Sequence, residues 1–314
     1  MNKTKRHLLG LATLLPAVLA QADDGGISFW LPGQFGALAA APTEPGWSLP
    51  LIYYHLSAED DANKGIPRGG RTTFGLDAKA DLLFAFPTYT FAEPLLGAQA
   101  AIALGAAVAR SEANVDATLT GPRGRNFSGG TDDSLKGASD LYLLGTLKWN
   151  QGVHNFMVYS MGNIPVGAYD PDRLVNIGLG HASLDAGGGY TWFDKKNEFS
   201  AVAGITYNWE NTDTDYQNGI DAHLDLSASH FITDQTHLGL VGYVFHQVTG
   251  DSGSGAVLGD FKSKVSAIGP QAGHFFKVGK ALWYTNLKGY YEFDAKNRPE
   301  GWNAWLTLVV PLSE

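Results

Sequence analysis

From Trp47 onward the chain repeats one pattern: segments of about ten residues in which apolar and polar side chains alternate, the mark of strands whose two faces meet different surroundings. In Phe199 to Trp209, the residues Phe199, Ala201, Ala203, Ile205, Tyr207 and Trp209 share one face, opposite Ser200, Gly204, Thr206 and Asn208. Ile220 to His230 sets Ile220, Ala222, Leu224, Leu226 and Ala228 against Asp221, His223, Asp225, Ser227 and Ser229. In Leu76 to Phe86, the apolar face is Leu76, Ala78, Ala80, Leu82, Phe84 and Phe86, against Asp77, Lys79 and Asp81. Trp283 to Asp294 alternates in the same way, whereas Val153 to Met161 and His237 to Gln247 fit either register.

Alternation alone also suits a soluble sheet with one wet face, so the connections have to discriminate. Short turns at Pro87 to Pro94, Asn150 to Gly152, Asp194 to Asn197, Thr233 to Gln235 and Lys277 to Lys280 take strict turns with longer, polar, glycine-rich connections. The longer ones are Glu59 to Gly70, Gly121 to Lys136, Ile164 to Gly180, Asn211 to Gly219, Thr249 to Asp260 and Asp294 to Gly301. In an up-and-down meander every second connection lies at the same end, so one end is short and the other long. That asymmetry, with an even count of about 12 strands, predicts an all-β fold: a transmembrane antiparallel up-and-down barrel with short periplasmic turns. Trp149, Trp192, Trp209, Trp283, Tyr291, Phe293 and Trp302 fall near predicted strand ends, where lipid interfaces favour aromatic rings. Closure also removes the aggregation-prone edge that such apolar faces would otherwise leave.

The N-terminal residues agree with export. Lys3, Lys5, Arg6 and His7 precede an apolar run from Leu8 to Ala20, and Ala20-Gln21-Ala22 supplies small residues for cleavage, so 1–22 reads as a secretory signal. The run is shorter than the about 20 residues a membrane helix needs. The chain has no cysteine, so burial or closure must supply the stability that exported domains often draw from disulfides. Its formal charge of −9 and the lack of a basic stripe argue against nucleic acid as a partner. Residues 23–46 form a separate apolar segment and 47–314 the barrel. In the segment, Phe29, Trp30, Leu31 and Phe35 are too apolar for a solvated tail, while Pro32, Pro42 and Pro45 oppose a regular strand. A barrel of this size lies between the filled eight-stranded and the open 16-stranded kinds, at about 12 strands. The expectation is therefore that this segment plugs the lumen, burying Trp30 and Phe35; an arm packed under the periplasmic rim is the alternative.

With these residues in view the chain resembles the MetA-pathway of phenol degradation family of outer-membrane, transporter-like barrels. The resemblance is carried by "PGWSLPLIYYH" (Pro45 to His55), "GLDAKADLLFAFPTYTF" (Gly75 to Phe91), "LKWNQGVHN" (Leu147 to Asn155), "IPVGAYD" (Ile164 to Asp170), "TDYQNGIDAHLD" (Thr214 to Asp225), "TGDSGSGAVLGDFKS" (Thr249 to Ser263) and "NLKGYYEFDAKNRPEGWNAWLTL" (Asn286 to Leu308). One departure is the C-terminus, Pro311-Leu312-Ser313-Glu314, where many outer-membrane barrels finish on an aromatic residue. The resemblance implies the outer membrane, with membrane lipids, lipopolysaccharide and the barrel-assembly machinery as partners. It further implies passive uptake of small hydrophobic or aromatic solutes. The alternatives are a general or ion-selective porin and a membrane-embedded hydrolase.

If the polar faces look inward, the lumen collects Asp77, Lys79, Asp81, Asp140, Lys148, Asp185, Asp221, His223, Asp225, Lys288, Glu292 and Asp294. Buried charges must be paired or watered, so this set is expected to form a hydrogen-bonded network, with a narrow polar path as the functional alternative. "GDSGSG" at Gly250 to Gly255 resembles the nucleophile loop of chymotrypsin-type proteases, but glycine, serine and aspartate are ordinary loop residues and no histidine base is assigned to Ser252. The histidines are scattered and show no HExxH-like spacing. No catalytic residue, metal or cofactor is expected.

Overall fold

The computed structural model describes residues 28–312 apart from 67–69, 121–125 and 257–261. The expected signal, 1–22, lies outside the described residues. The strands are β1 (Gly46–Ile66), β2 (Gly70–Ala85), β3 (Thr88–Thr90), β4 (Gln99–Thr120), β5 (Asn126–Ala138), β6 (Leu141–Gln151) and β7 (His154–Ile164). They continue with β8 (Ser183–Phe193), β9 (Asn197–Asn208), β10 (Asp221–Phe231), β11 (Thr236–Gln247), β12 (Lys264–Val278), β13 (Ala281–Lys296) and β14 (Glu300–Pro311). Pairing is antiparallel, and β1 returns to β14 with Ser48 opposite Pro311 and Glu59 opposite Glu300. The result is a closed barrel of 12 strands, as the alternating connections predict.

Two strands stand off the ring. β3 pairs with β1 on one side and β4 on the other, and so continues the wall where β2 has stopped. β5 pairs with the far half of β4, whose near half pairs with β6. Two stretches expected as loops are thus largely strand: β1 runs to Ile66 and β2 starts at Gly70, while β5 begins at Asn126. Beyond the bilayer an antiparallel ribbon still pairs its own backbone groups, and it needs no two-faced side-chain pattern to do so. The connection between β13 and β14 likewise shrinks to 297–299.

The short end is made by turn chemistry. Gly152 and Gly279 take φ of 70° and 62° in the two-residue connections β6–β7 and β12–β13. In the β8–β9 turn the Asp194 carboxylate accepts the amides of Asn197 (2.6 Å) and Lys196 (2.8 Å). Those amides, Asn197's first, hold its carboxyl below the ordinary carboxylate range.

Burial alternates along the strands and assigns the two faces. Leu83, Ile102, Val158, Leu240, Ile268 and Leu287 all point outward, between 46 and 58 % exposed. A continuous apolar exterior of this kind is what a barrel presents to lipid. Exposed Tyr207, Trp209, Tyr291, Phe293 and Trp302 ring it near the long-loop end.

On β9, β10 and β13 the apolar face is outside, as the alternation predicts. β2 is inverted. Leu76, Ala80, Leu82 and Phe84 are buried inside, and Asp77, Lys79 and Asp81, expected in the lumen, face outward. Asp81 there accepts from Tyr53 Oη at 2.5 Å, lies 2.8 Å from His55 Nδ1 and stands opposite Arg110, whose guanidinium pairs with Glu112. His55 lies 4.7 Å, ring to ring, from Trp302 of the aromatic band. β1, β2 and β4 run on past that band, so their outer face meets headgroups and water at that level, and charge on it costs little.

Candidate functional site

The interior is two-sided. Along β8, β9, β10 and β13 it is a polar network, whereas along β1, β2, β4, β6, β7 and β14 it is chiefly apolar. In the polar half His223 Nε2 lies 3.0 Å from Asp185 Oδ2 and 3.3 Å from the Tyr159 hydroxyl, and Thr206 Oγ1 donates to the same Asp185 oxygen at 2.6 Å. Asn208 donates to Asp221 at 3.1 Å, and Tyr243 Oη donates to Glu292 at 2.6 Å. Glu198 accepts from the hydroxyls of Ser200 and Ser227. Each of these four buried carboxylates is thereby hydrogen-bonded, the condition for leaving a charge away from water.

Residues 28–45 cross this interior. Gly33 and Phe35 each donate a backbone amide to one oxygen of Asp225, both at 3.0 Å. From the opposite side Lys288 Nζ donates to the carbonyls of Gly33 (2.5 Å), Gln34 (3.0 Å) and Phe35 (3.2 Å). Farther along, Leu38 N reaches Glu198 at 3.2 Å, Ala40 N reaches Thr191 at 3.0 Å and Lys148 Nζ reaches the Ala41 carbonyl at 3.1 Å. The segment thus touches inward side chains of β13, β10, β9, β8 and β6 in turn. It is held by its backbone, which its three prolines keep from any sheet ladder. Its side chains are free to point elsewhere. Trp30, 1 % exposed, stacks on His223 with ring centroids 3.5 Å apart, and Phe35 lies 5.4 Å from the Tyr159 ring.

Gly33 shows how tight the seat is. Its φ is +85°, and a Cβ there would sit 2.9 Å from the Tyr290 ring. Gly33→Val should unseat the segment while every residue of the wall is unchanged, read as higher single-channel conductance with unchanged barrel content by circular dichroism.

Between the segment and the apolar wall lies a cavity of about 180 Å³. Phe29, Trp30, Leu31, Gln34 and Phe35 line it from the segment; Pro50, Ile52, Phe84, Phe86, Tyr142, Leu144, Met161 and Trp305 line it from the wall. Phe86 owes its place to Gly105, where any Cβ would fall 2.2 Å from its ring. Toward the long-loop end the 165–182 connection folds in, and Ile177 and Leu179 join the apolar cluster that holds Trp30 and Phe84. Asp140, fully buried between β5 and β6, holds that fold by accepting from Asn163 Nδ2 (2.7 Å), Gly167 N (2.9 Å) and Leu179 N (3.3 Å).

Of the side chains expected in the lumen, Lys148, Asp185, Asp221, His223, Asp225, Lys288 and Glu292 face inward on strands and Asp140 is enclosed beside them. Asp294 is at the rim, exposed, in an ion pair with Lys264 at 2.8 Å. The sequence pattern missed Glu198, which carries part of the segment, and the cavity wall of Phe84, Phe86, Tyr142, Leu144 and Trp305. The available signal was the length of β2: its charges cluster toward the long-loop end, where a strand has left the hydrocarbon. "GDSGSG" is a tie between loops, in which Ser252 Oγ donates to Gln217 at 3.4 Å and Asp251 accepts from the Tyr216 hydroxyl at 2.5 Å and Gln247 Nε2 at 2.5 Å. Among the described residues no cluster of His, Asp and Glu has metal-holding geometry.

Residues 62–308 match the family profile described as "Putative MetA-pathway of phenol degradation". The chain belongs to this family. Among solved structures, the phenol-degradation family chain is similar to an outer membrane channel from Pseudomonas putida F1, at 15% identity and a TM-score of 0.61, over 90% of this chain and 99% of that one. The CymD monoaromatic hydrocarbon channel aligns at 9% identity and a TM-score of 0.43, over 87% of this chain and 90% of that one. At such identities the first likeness concerns the fold. No match was found among curated protein sequences.

Proposed function

We propose that this protein is an outer-membrane channel that lets small, largely apolar aromatic solutes pass down their gradient, without catalysis. The observation that carries the reading is the apolar cavity between residues 28–45 and the wall. Its volume of about 180 Å³ compares with the roughly 150 Å³ apolar cavity known to take up benzene in an engineered protein core. The family's description links the chain to phenol degradation, and passage of a ring-sized apolar compound agrees with it.

In this reading the N-terminal segment is a plug with two jobs. Its backbone satisfies Asp225, Lys288 and Glu198 and so covers the polar half of the lumen. Its rings complete an apolar passage against the other half. Export by the 1–22 signal, insertion by the barrel-assembly machinery and a lipopolysaccharide contact at the charged outer rim of β1, β2 and β4 belong to the same proposal.

The test is uptake of a labelled panel of single- and two-ring aromatics by proteoliposomes whose outer leaflet carries lipopolysaccharide, a barrier that slows direct permeation. Saturable acceleration of single-ring compounds over protein-free vesicles is expected. Equal entry into both kinds of vesicle removes the reading. An ion-selective porin is the second reading, favoured by the charged half of the lumen; it requires conductance from the intact chain.

A further inference from the structure

The cavity is apolar, yet one of its lining groups is a carboxamide with unused capacity. Gln34 sits on the N-terminal segment, and its backbone carbonyl accepts from Lys288 Nζ at 3.0 Å. Its side chain makes no hydrogen bond among the described residues. Two other polar groups of the lining are occupied by the protein itself: Thr88 Oγ1 donates to the Phe86 carbonyl at 2.8 Å, and the Tyr159 hydroxyl lies 3.3 Å from His223. The indole N–H groups of Trp30 and Trp305, from the same lining, also lack an acceptor. A passage meant for bare hydrocarbon has no use for an unpaired carboxamide, which would cost desolvation each time an apolar ring displaced its water.

We infer that the cavity is a binding site for one aromatic ring bearing a single hydroxyl, with Gln34 as the residue that selects a phenol over the corresponding hydrocarbon. The inference rests on the aromatic passage proposed above and goes beyond it in assigning the polar end of the solute. A carboxamide both donates and accepts, so it matches a hydroxyl in either sense. The ring lies against Trp30, Phe35 and Phe84, and the hydroxyl hydrogen-bonds the Gln34 carboxamide. A methyl group in the same position leaves the carboxamide unpaired, so discrimination comes from the hydrocarbon's penalty as much as from the phenol's gain.

Fluorine NMR titration of the full chain in detergent, with 4-fluorophenol and 4-fluorotoluene as probes and protein-free micelles as the control, tests this. Saturable binding of both is expected, tighter for 4-fluorophenol. Gln34→Met, nearly isosteric, is expected to weaken 4-fluorophenol by about fivefold, the worth of one hydrogen bond, and to leave 4-fluorotoluene equal or tighter. Gln34→Glu, whose carboxylate still accepts a hydroxyl proton, is expected to restore the preference, which separates lost selection from an unseated segment. Heat-modifiable migration on gels checks that each variant is a folded barrel. An unchanged ratio of the two probes in Gln34→Met overturns the role of Gln34 and leaves the aromatic passage standing. Absence of saturable binding by either probe overturns both.

Discussion

Deletion of Ser28 to Ala41 is expected to raise single-channel conductance in planar bilayers several-fold and to make the pore cation-selective. The size of the effect follows from what the segment covers. It crosses the lumen from Lys288 on β13 to Lys148 on β6, bonded to the inward side chains between them. Without it, the polar half of a 12-stranded lumen is left to water. The sign follows from the charges uncovered. Inward acids are Asp185, Glu198, Asp221, Asp225 and Glu292, against Lys148, Lys288 and Arg298, whose guanidinium lies 5.3 Å from the buried Phe245 ring. A surplus of carboxylates favours cations in a narrow watered pore. Reversal potentials in a potassium chloride gradient read the selectivity directly. Unchanged conductance shows that the segment does not limit flow; a current carried by chloride shows that the acids do not set the local potential.

The second large effect is at the clamp. Asp225 and Lys288 hold the same short stretch from opposite sides, Asp225 through the amides of Gly33 and Phe35 and Lys288 through the carbonyls of Gly33, Gln34 and Phe35. Both side chains are almost fully buried. Removing one takes away its charge-assisted hydrogen bonds to the segment and leaves the other without its counter-charge in a protein interior, a loss on the order of 2–3 kcal/mol. Asp225→Leu and Lys288→Met are therefore each expected to lower the thermal midpoint strongly and to raise conductance toward the level of the deletion. The double variant is expected to lose less than the sum of the two, because it leaves no orphaned charge. Thermal melts of all four proteins in one detergent form the cycle. Additive losses mean that the two groups act on the segment independently.

These outcomes bear on how the two-sided lumen arises. The polar half is readable residue by residue: in Ile220 to His230 every second residue is Asp, His or Ser, and each of these faces inward on β10. The apolar half is not. β2 shows equally clean alternation, but its Asp77, Lys79 and Asp81 face outward and its Leu82 and Phe84 line the interior. Period-two patterning states that two faces differ and is silent on which of them meets lipid. The rule that polar means inward fails where a strand outruns the bilayer, because its outer face is then wet as well. It fails again where the lumen contains an apolar passage.

The amino-acid order alone was enough for strand count, antiparallel meander, closure and the unequal ends, because period-two segments and turn residues act over a few neighbours and any such chain must pair its edges. It was also enough to mark 23–46 as too apolar for solvent and too rich in proline for a strand. Where that segment goes, and hence the existence of the cavity, was decided by tertiary structure. Gly33 meets the Asp225 carboxylate across 192 positions of chain and Lys288 across 255. Contacts of that span leave no periodicity in the sequence; they exist only after the barrel has closed and brought its far walls around one stretch of backbone.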